Sequence, residues 1–172
     1  VASSDAFRAI ELIRDNSEKW NIDSNNVGVI GFSAGGHLAS TISTKGKLGF
    51  NKPDYAILVY PVINMNIEKQ TWTFSSLFGD NPDVNIIQDY SNDLNVNQET
   101  PPTILIHSNN DVGTPPENSI SYYSALRKNN VPASIHIWED GGHGYGLAKG
   151  RGTIESWTKI VKEWMVLKGV IN

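Results

Sequence analysis

Apolar positions along the chain switch between two periods, and the switching predicts alternating helices and strands. Ala6, Ile10, Ile13 and Trp20, with Phe7 and Leu12 between them, recur at roughly helical spacing. Ser3 or Ser4 is placed to cap that helix, and Asn21 with Asp23 to end it. Val27-Gly-Val-Ile-Gly-Phe32 is a short unbroken apolar run, the pattern of a strand buried on both faces. A glycine cluster leads into a predicted helix over 37–43, and 55–60 reads as a second strand closed by Pro61. Residues 64–100 form a polar, asparagine-rich, cap-like excursion with a short helix over 83–90 behind Asn81-Pro82. The alternation then resumes with a strand over 103–107, a helix over 117–129 behind Pro115-Pro116, and a strand over 133–138. A glycine-rich loop over 141–146 precedes a helix over 153–167 that puts Ile154, Trp157, Ile160, Val161 and Trp164 on one side.

Strands alternating with helices predict an α/β domain: a mostly parallel sheet with helices on both faces. Its 172 residues suffice for one domain, and no repeat or linker divides them. Ligands of such sheets bind beyond the carboxyl ends of the strands, which is where every candidate below falls. The net charge of −4 comes without a basic stripe, so nucleic acid is not an expected partner. The longest apolar stretches, 55–62 and 103–107, are strand-sized, far below the ~20 residues that cross a bilayer, so no membrane partner is expected. The absence of cysteine removes disulfides, thiolate zinc sites and a cysteine nucleophile together. The four histidines lack metal-ligand spacing; no metal and no cofactor is called for. The composition fits the cytoplasm, the periplasm and secretion alike.

The chemistry starts at Gly31-Phe-Ser33-Ala-Gly35, a G-x-S-x-G sequence between an apolar strand and a helix. In a strand–turn–helix of this kind the turn is sharp enough to strain the serine backbone, and the glycines two before and two after are expected to stand where side chains do not fit. Ser33 is thereby the candidate nucleophile. The backbone N–H of Ala34, at the start of the helix, is the candidate oxyanion donor. The bland alternative is a glycine-rich turn with a passive serine.

A serine nucleophile needs a base within reach. His37 is too near its own elbow, His107 ends a buried strand, and His136 sits mid-strand between Ile135 and Ile137. His143 lies in Asp140-Gly-Gly-His-Gly-Tyr-Gly146, directly after the last strand, and is the candidate base. The acid belongs between nucleophile and base in chain order. Asp111, just beyond the strand over 103–107, fits; it would hold the His143 tautomer and stabilise the imidazolium. Asp80, Asp83, Asp89 and Asp93 lie in the polar excursion, and Asp140 is too close to His143. Trp72, Phe74 and Phe78 in the excursion are candidates to line an acyl or sugar pocket, with simple packing as the alternative.

With Ile30-Gly-Phe-Ser-Ala-Gly-Gly-His-Leu-Ala39, His107-Ser-Asn-Asn-Asp-Val-Gly-Thr-Pro-Pro-Glu-Asn-Ser119 and Gly141-Gly-His-Gly-Tyr145 in view, the chain resembles the small carbohydrate-esterase branch of the α/β-hydrolases. That group is described as acetyl-xylan or feruloyl esterase-like and as lipase/esterase. Leu77-Phe-Gly-Asp-Asn-Pro82, Tyr90-Ser91 and Pro101-Pro102-Thr103 share the likeness, which runs over nearly all of 1–172. The resemblance implies an α/β-hydrolase fold, triad roles for Ser33, Asp111 and His143, and a small-molecule or oligosaccharide ester as substrate. Nothing here matches the N-terminal strands and His-Gly-Gly loop of that group, so a truncated, C-terminal catalytic part is expected. Its bare sheet edge would invite self-association or a missing N-terminal segment. Two other readings stand beside the esterase: the catalytic part of a prolyl-oligopeptidase-type serine peptidase, and a non-catalytic binding module retaining the fold.

Overall fold

The computed structural model describes residues 2–67, 72–79 and 81–172, with backbone alone at 72 and 73. Four strands, β1 (Gly28–Phe32), β2 (Tyr55–Val59), β3 (Thr103–Ser108) and β4 (Ala133–Trp138), form one parallel sheet in chain order. Helices α1 (Ala2–Asp15), α2 (Ser17–Trp20), α3 (Ala34–Lys45), α4 (Trp72–Phe78), α5 (Val84–Tyr90), α6 (Glu117–Lys128) and α7 (Trp157–Leu167) surround it. The period of two along β2 and β3 splits the core. Ala56, Leu58 and Leu105 face Ala39 of α3 and Tyr122 and Leu126 of α6. Ile57, Val59, Ile104 and Ile106 face Ile154, Trp157, Val161 and Trp164. Crossovers of one hand that advance in one direction put their helices on one face, so α3 and α6 share a side. Among the described residues the other face is covered by α7 together with Tyr145, Ala148 and Ile154 from the segment that leads into it. Ile10 of α1 packs on Val27 and Ile42, which sets α1 beside α3.

Several local expectations change. Ser3 and Ser4 lie inside α1 rather than capping it, because the helix already runs from Ala2. The long first helix breaks at Asn16, and Asn21 ends α2 in the left-handed conformation (φ 54°). The last helix opens as a 3-10 turn over Gly152–Ser156. β1 is not buried on both faces: it is the sheet edge, with Ile30 50% and Phe32 36% exposed.

Among the described residues the excursion holds two α-helices, α4 and α5, and a 3-10 turn over Asn92–Asn95, where the sequence predicts one helix. Asp83 caps α5 by accepting from the Asn85 N–H at 2.7 Å. Its far end is pinned to α3: Asn92 donates to the carbonyl of His37 (3.1 Å), Ser40 Oγ (2.8 Å) and Thr41 Oγ1 (2.9 Å). The His37 ring donates in turn to the Tyr90 carbonyl at 2.8 Å. These bonds fix the excursion beside the amino end of α3, next to Ser33.

Candidate active site

Ser33 occupies the turn between β1 and α3 with φ 53° and ψ −121°, a conformation that costs a non-glycine residue about 1–3 kcal/mol. Neighbours hold it there. Its N–H donates to the Val59 carbonyl (3.1 Å), and its carbonyl accepts from Val62 (3.1 Å) and His37 (3.2 Å). The packing reason for Gly31 is direct: a Cβ there would stand 2.3 Å from the Gly35 carbonyl oxygen and 2.8 Å from the Ala39 Cβ. The same reasoning fails for Gly35, whose Cβ would meet nothing within 4 Å. The second close approach lies one residue on, at Gly36, where a Cβ would come within 2.6 Å of Pro61. Ala34 begins α3, so its N–H has no acceptor inside the helix and sits at the positive end of the helix dipole.

The loops after β3 and β4 bring the other two candidates to this turn. Ser33 Oγ lies 2.8 Å from His143 Nε2, and His143 Nδ1 lies 2.7 Å from Asp111 Oδ2. Asp111 is buried, and its other oxygen accepts the N–H groups of Gly113 (2.9 Å) and Thr114 (2.8 Å). Burial pushes its carboxyl upward, but the donors, His107, Thr114 and His143, outweigh that and hold it below its ordinary value. A carboxylate on Nδ1 makes Nδ1 the protonated nitrogen and leaves the Nε2 lone pair toward Ser33. The chain can therefore draw the proton from the Ser33 hydroxyl and stabilise the imidazolium that results.

Side chains that the linear pattern did not single out brace this chain. Ser108 Oγ donates to the Gly142 carbonyl, Asn110 Oδ1 accepts from the Gly142 N–H (2.8 Å), and Asn110 Nδ2 donates to Asp140 (3.1 Å). The two loops are thus clasped together just before His143. Tyr60, at φ 38°, packs edge-on against the His143 ring at 4.9 Å and against Tyr145 at 4.5 Å. A Cβ on Gly113 would touch the His143 ring at 3.1 Å, so that glycine clears room for the imidazole. A paired Ser108 and Asn110 flanking an acid, across from a glycine loop, is a signal visible only once β3 and β4 are known to be neighbours.

The remaining candidates are accounted for individually. His136 stays within β4, its ring 6.0 Å from Trp138. Asp89 pairs with Lys45 at 2.6 Å, and Asp93 accepts from Asn64. Asp80 lies outside the described residues, as does the Trp72 side chain. Phe74 and Phe78 pack with Tyr90 against Val62, Met65 and Ile87. Next to Ala34 an open cleft of about 550 Å³ is lined by Gly35, His37, Leu38, Ser76, Leu77 and Tyr90 among others. Leu77 and Tyr90, rather than the two phenylalanines, border it. Among the described residues no group of His, Asp and Glu is arranged to hold a metal, and no helix is long and apolar enough to cross a membrane.

The family model of the prolyl oligopeptidase family matches residues 2–168. The chain belongs to that family. The acetylxylan esterase of Xylanibacter ruminicola is 38% identical over 152 residues, covering 86% of this chain and 32% of the relative. Endo-1,4-beta-xylanase B of Butyrivibrio fibrisolvens is 31% identical over 154 residues, covering 84% and 24%. The chain therefore spans a third or less of the curated relatives it matches. In three dimensions it is similar to the acetyl ester-xyloside bifunctional hydrolase of Caldicellulosiruptor lactoaceticus: TM-score 0.92, 38% identity, 99% of this chain and 66% of that one. The fold is that of the α/β-hydrolases.

Proposed function

We propose that this prolyl oligopeptidase family chain carries the catalytic site of a serine carboxylic-ester hydrolase that deacylates acylated sugars. The observation that carries the reading is the continuous chain Ser33–His143–Asp111 at 2.8 and 2.7 Å, assembled at the carboxyl ends of β1, β3 and β4. In the reaction, Ser33 Oγ attacks the ester carbonyl carbon while His143 Nε2 takes its proton. The carbonyl oxygen gains negative charge facing the Ala34 N–H. The bond to the sugar oxygen breaks, and that oxygen takes the proton from His143. Water then attacks the acyl-serine, giving a proton to His143 that returns to Ser33 as the acid leaves. An acetyl group on a xylan-type sugar is the favoured substrate, supported by the names of the acetylxylan esterase and acetyl ester-xyloside hydrolase relatives.

The family name makes a peptidase the reading to test against. Turnover of p-nitrophenyl acetate and of a prolyl p-nitroanilide by the chain and by Ser33→Ala separates the two. Ester cleavage that depends on Ser33, without cleavage of the anilide, is expected. Serine-dependent anilide cleavage would replace the esterase with a peptidase. No difference between the two proteins on either substrate would leave a non-catalytic module.

A further inference from the structure

The one histidine at the centre that the reaction above does not use is His107. It is the penultimate residue of β3, is fully buried, and both ring nitrogens are engaged. Nδ1 lies 2.7 Å from Ser119 Oγ on α6, and Nε2 lies 2.9 Å from the Thr114 carbonyl. A carbonyl can only accept, so Nε2 carries the hydrogen and Nδ1 takes the hydroxyl hydrogen of Ser119. The same Nε2–H stands 3.4 Å from Asp111 Oδ2, the oxygen bonded to His143. That distance is an electrostatic contact rather than a full hydrogen bond, since the N–H is shared with Thr114. Oδ2 therefore faces two imidazole N–H groups.

We infer that His107 is a positioning residue for the ester hydrolysis proposed above, holding Asp111 Oδ2 on the His143 Nδ1–H and drawing off part of its charge. Ser119 sets this by fixing the His107 tautomer that points a hydrogen at the carboxylate. A lone pair there would repel it. The groups facing Asp111 are His107 near the end of β3, His143 and Tyr145 from the loop after β4, and Tyr60 just beyond β2. Both tyrosines are held neutral: burial pushes them up, and the Asp111 charge adds to it. His107 and His143 are thus the two side chains that offer hydrogens to Oδ2.

The inference rests on the esterase reading, and its test keeps the two apart. The acid limb of kcat/KM against pH and the NMR resonance of the His143 Nδ1 proton are measured in wild type, His107→Leu, His107→Gln and Ser119→Ala. His107→Leu is expected to lower kcat about tenfold with KM little changed, the scale of one lost weak hydrogen bond. With the charge of Oδ2 left to His143, the acid limb should move up by roughly 0.5 pH unit and the proton resonance downfield. His107→Gln, which returns an N–H at similar reach, should restore both. Ser119→Ala should move both in the direction of His107→Leu by a smaller amount. A folded His107→Leu with wild-type limb and resonance overturns the inference. If that variant does not fold, an unmoved Ser119→Ala overturns it instead. If wild type shows no Ser33-dependent turnover, the esterase reading fails while the resonance still decides the role of His107.

Discussion

The two sides of Ser33 are built differently. On the acid–base side, Asp111 is buried among donors, the His143 loop is clasped by Ser108 and Asn110, and Tyr60 and Gly113 bracket the imidazole. On the nucleophile side, Gly35 faces open space, β1 is an exposed edge, and two clefts of about 550 and 360 Å³ border the elbow. The base is therefore pre-oriented by contacts within β2, β3, β4 and their loops. The proposed oxyanion donor, the Ala34 N–H, stands at the start of α3 on this open side. Within this chain, which spans two thirds of its structural neighbour, the base side is braced by its own neighbours while the nucleophile side presents an open surface.

The strongest way to break the braced side is Asp111→Asn. An amide at this position presents its own hydrogens to His143 and favours the wrong tautomer. Serine-dependent turnover should fall by about 10⁴, the size seen for that change in a well-studied triad. Steady-state kinetics beside a thermal melt would check it, and retention of more than a tenth of the rate would remove Asp111 from the mechanism.

The contrast across the elbow is sharpened by a pair of glycine variants. Gly31→Ala drives a Cβ into the Gly35 backbone and the Ala39 side chain, and should destabilise by about 1–3 kcal/mol or more. Gly35→Ala enters open space within α3 and should stabilise by about 0.4–1 kcal/mol. Urea unfolding of both measures the difference. A costly Gly35→Ala would mean that something packs on that face in solution.

The smallest expected effect concerns pH. Burial lowers the proton affinity of His37, with the Tyr90 carbonyl opposing and Lys45 adding to the decrease. Because the folded state then binds fewer protons than the unfolded one, stability should be full above about pH 6.5 and fall as pH drops through the unfolded value towards the folded one. Comparing urea midpoints at pH 7.5 and 5.5 shows the drop, and His37→Gln should flatten it. An equal drop in the variant would place the effect elsewhere.

Much of this molecule is legible along the chain because its signals are local. Gly-x-Ser-x-Gly after an apolar run, and a histidine in a glycine loop after the last strand, need only neighbours in sequence to be read. Strand positions hold to within a residue or two, since β-branched runs bounded by Pro, Gly and Asn mark their own ends. Crowding at a turn depends on what lies across it, and here Pro61 lies across from Gly36 rather than Gly35, which the linear motif does not encode. The partners of His107 were illegible for the same reason. Ser119 is twelve residues away, and only the packing of α6 against the sheet puts its hydroxyl on the ring.

The order of elements, the turn that exposes Ser33 and the chain order of serine, acid and histidine are all written in the linear pattern, because periodicity and turn chemistry act over a few residues. Which strands are neighbours emerges from packing in three dimensions. That pairing brings Ser108 and Asn110 to Gly142, faces Asp111 with two imidazoles, and leaves β1 at the edge. Distances between groups 30 to 110 residues apart are set by the packing of the whole sheet and its helices, and no local pattern encodes them.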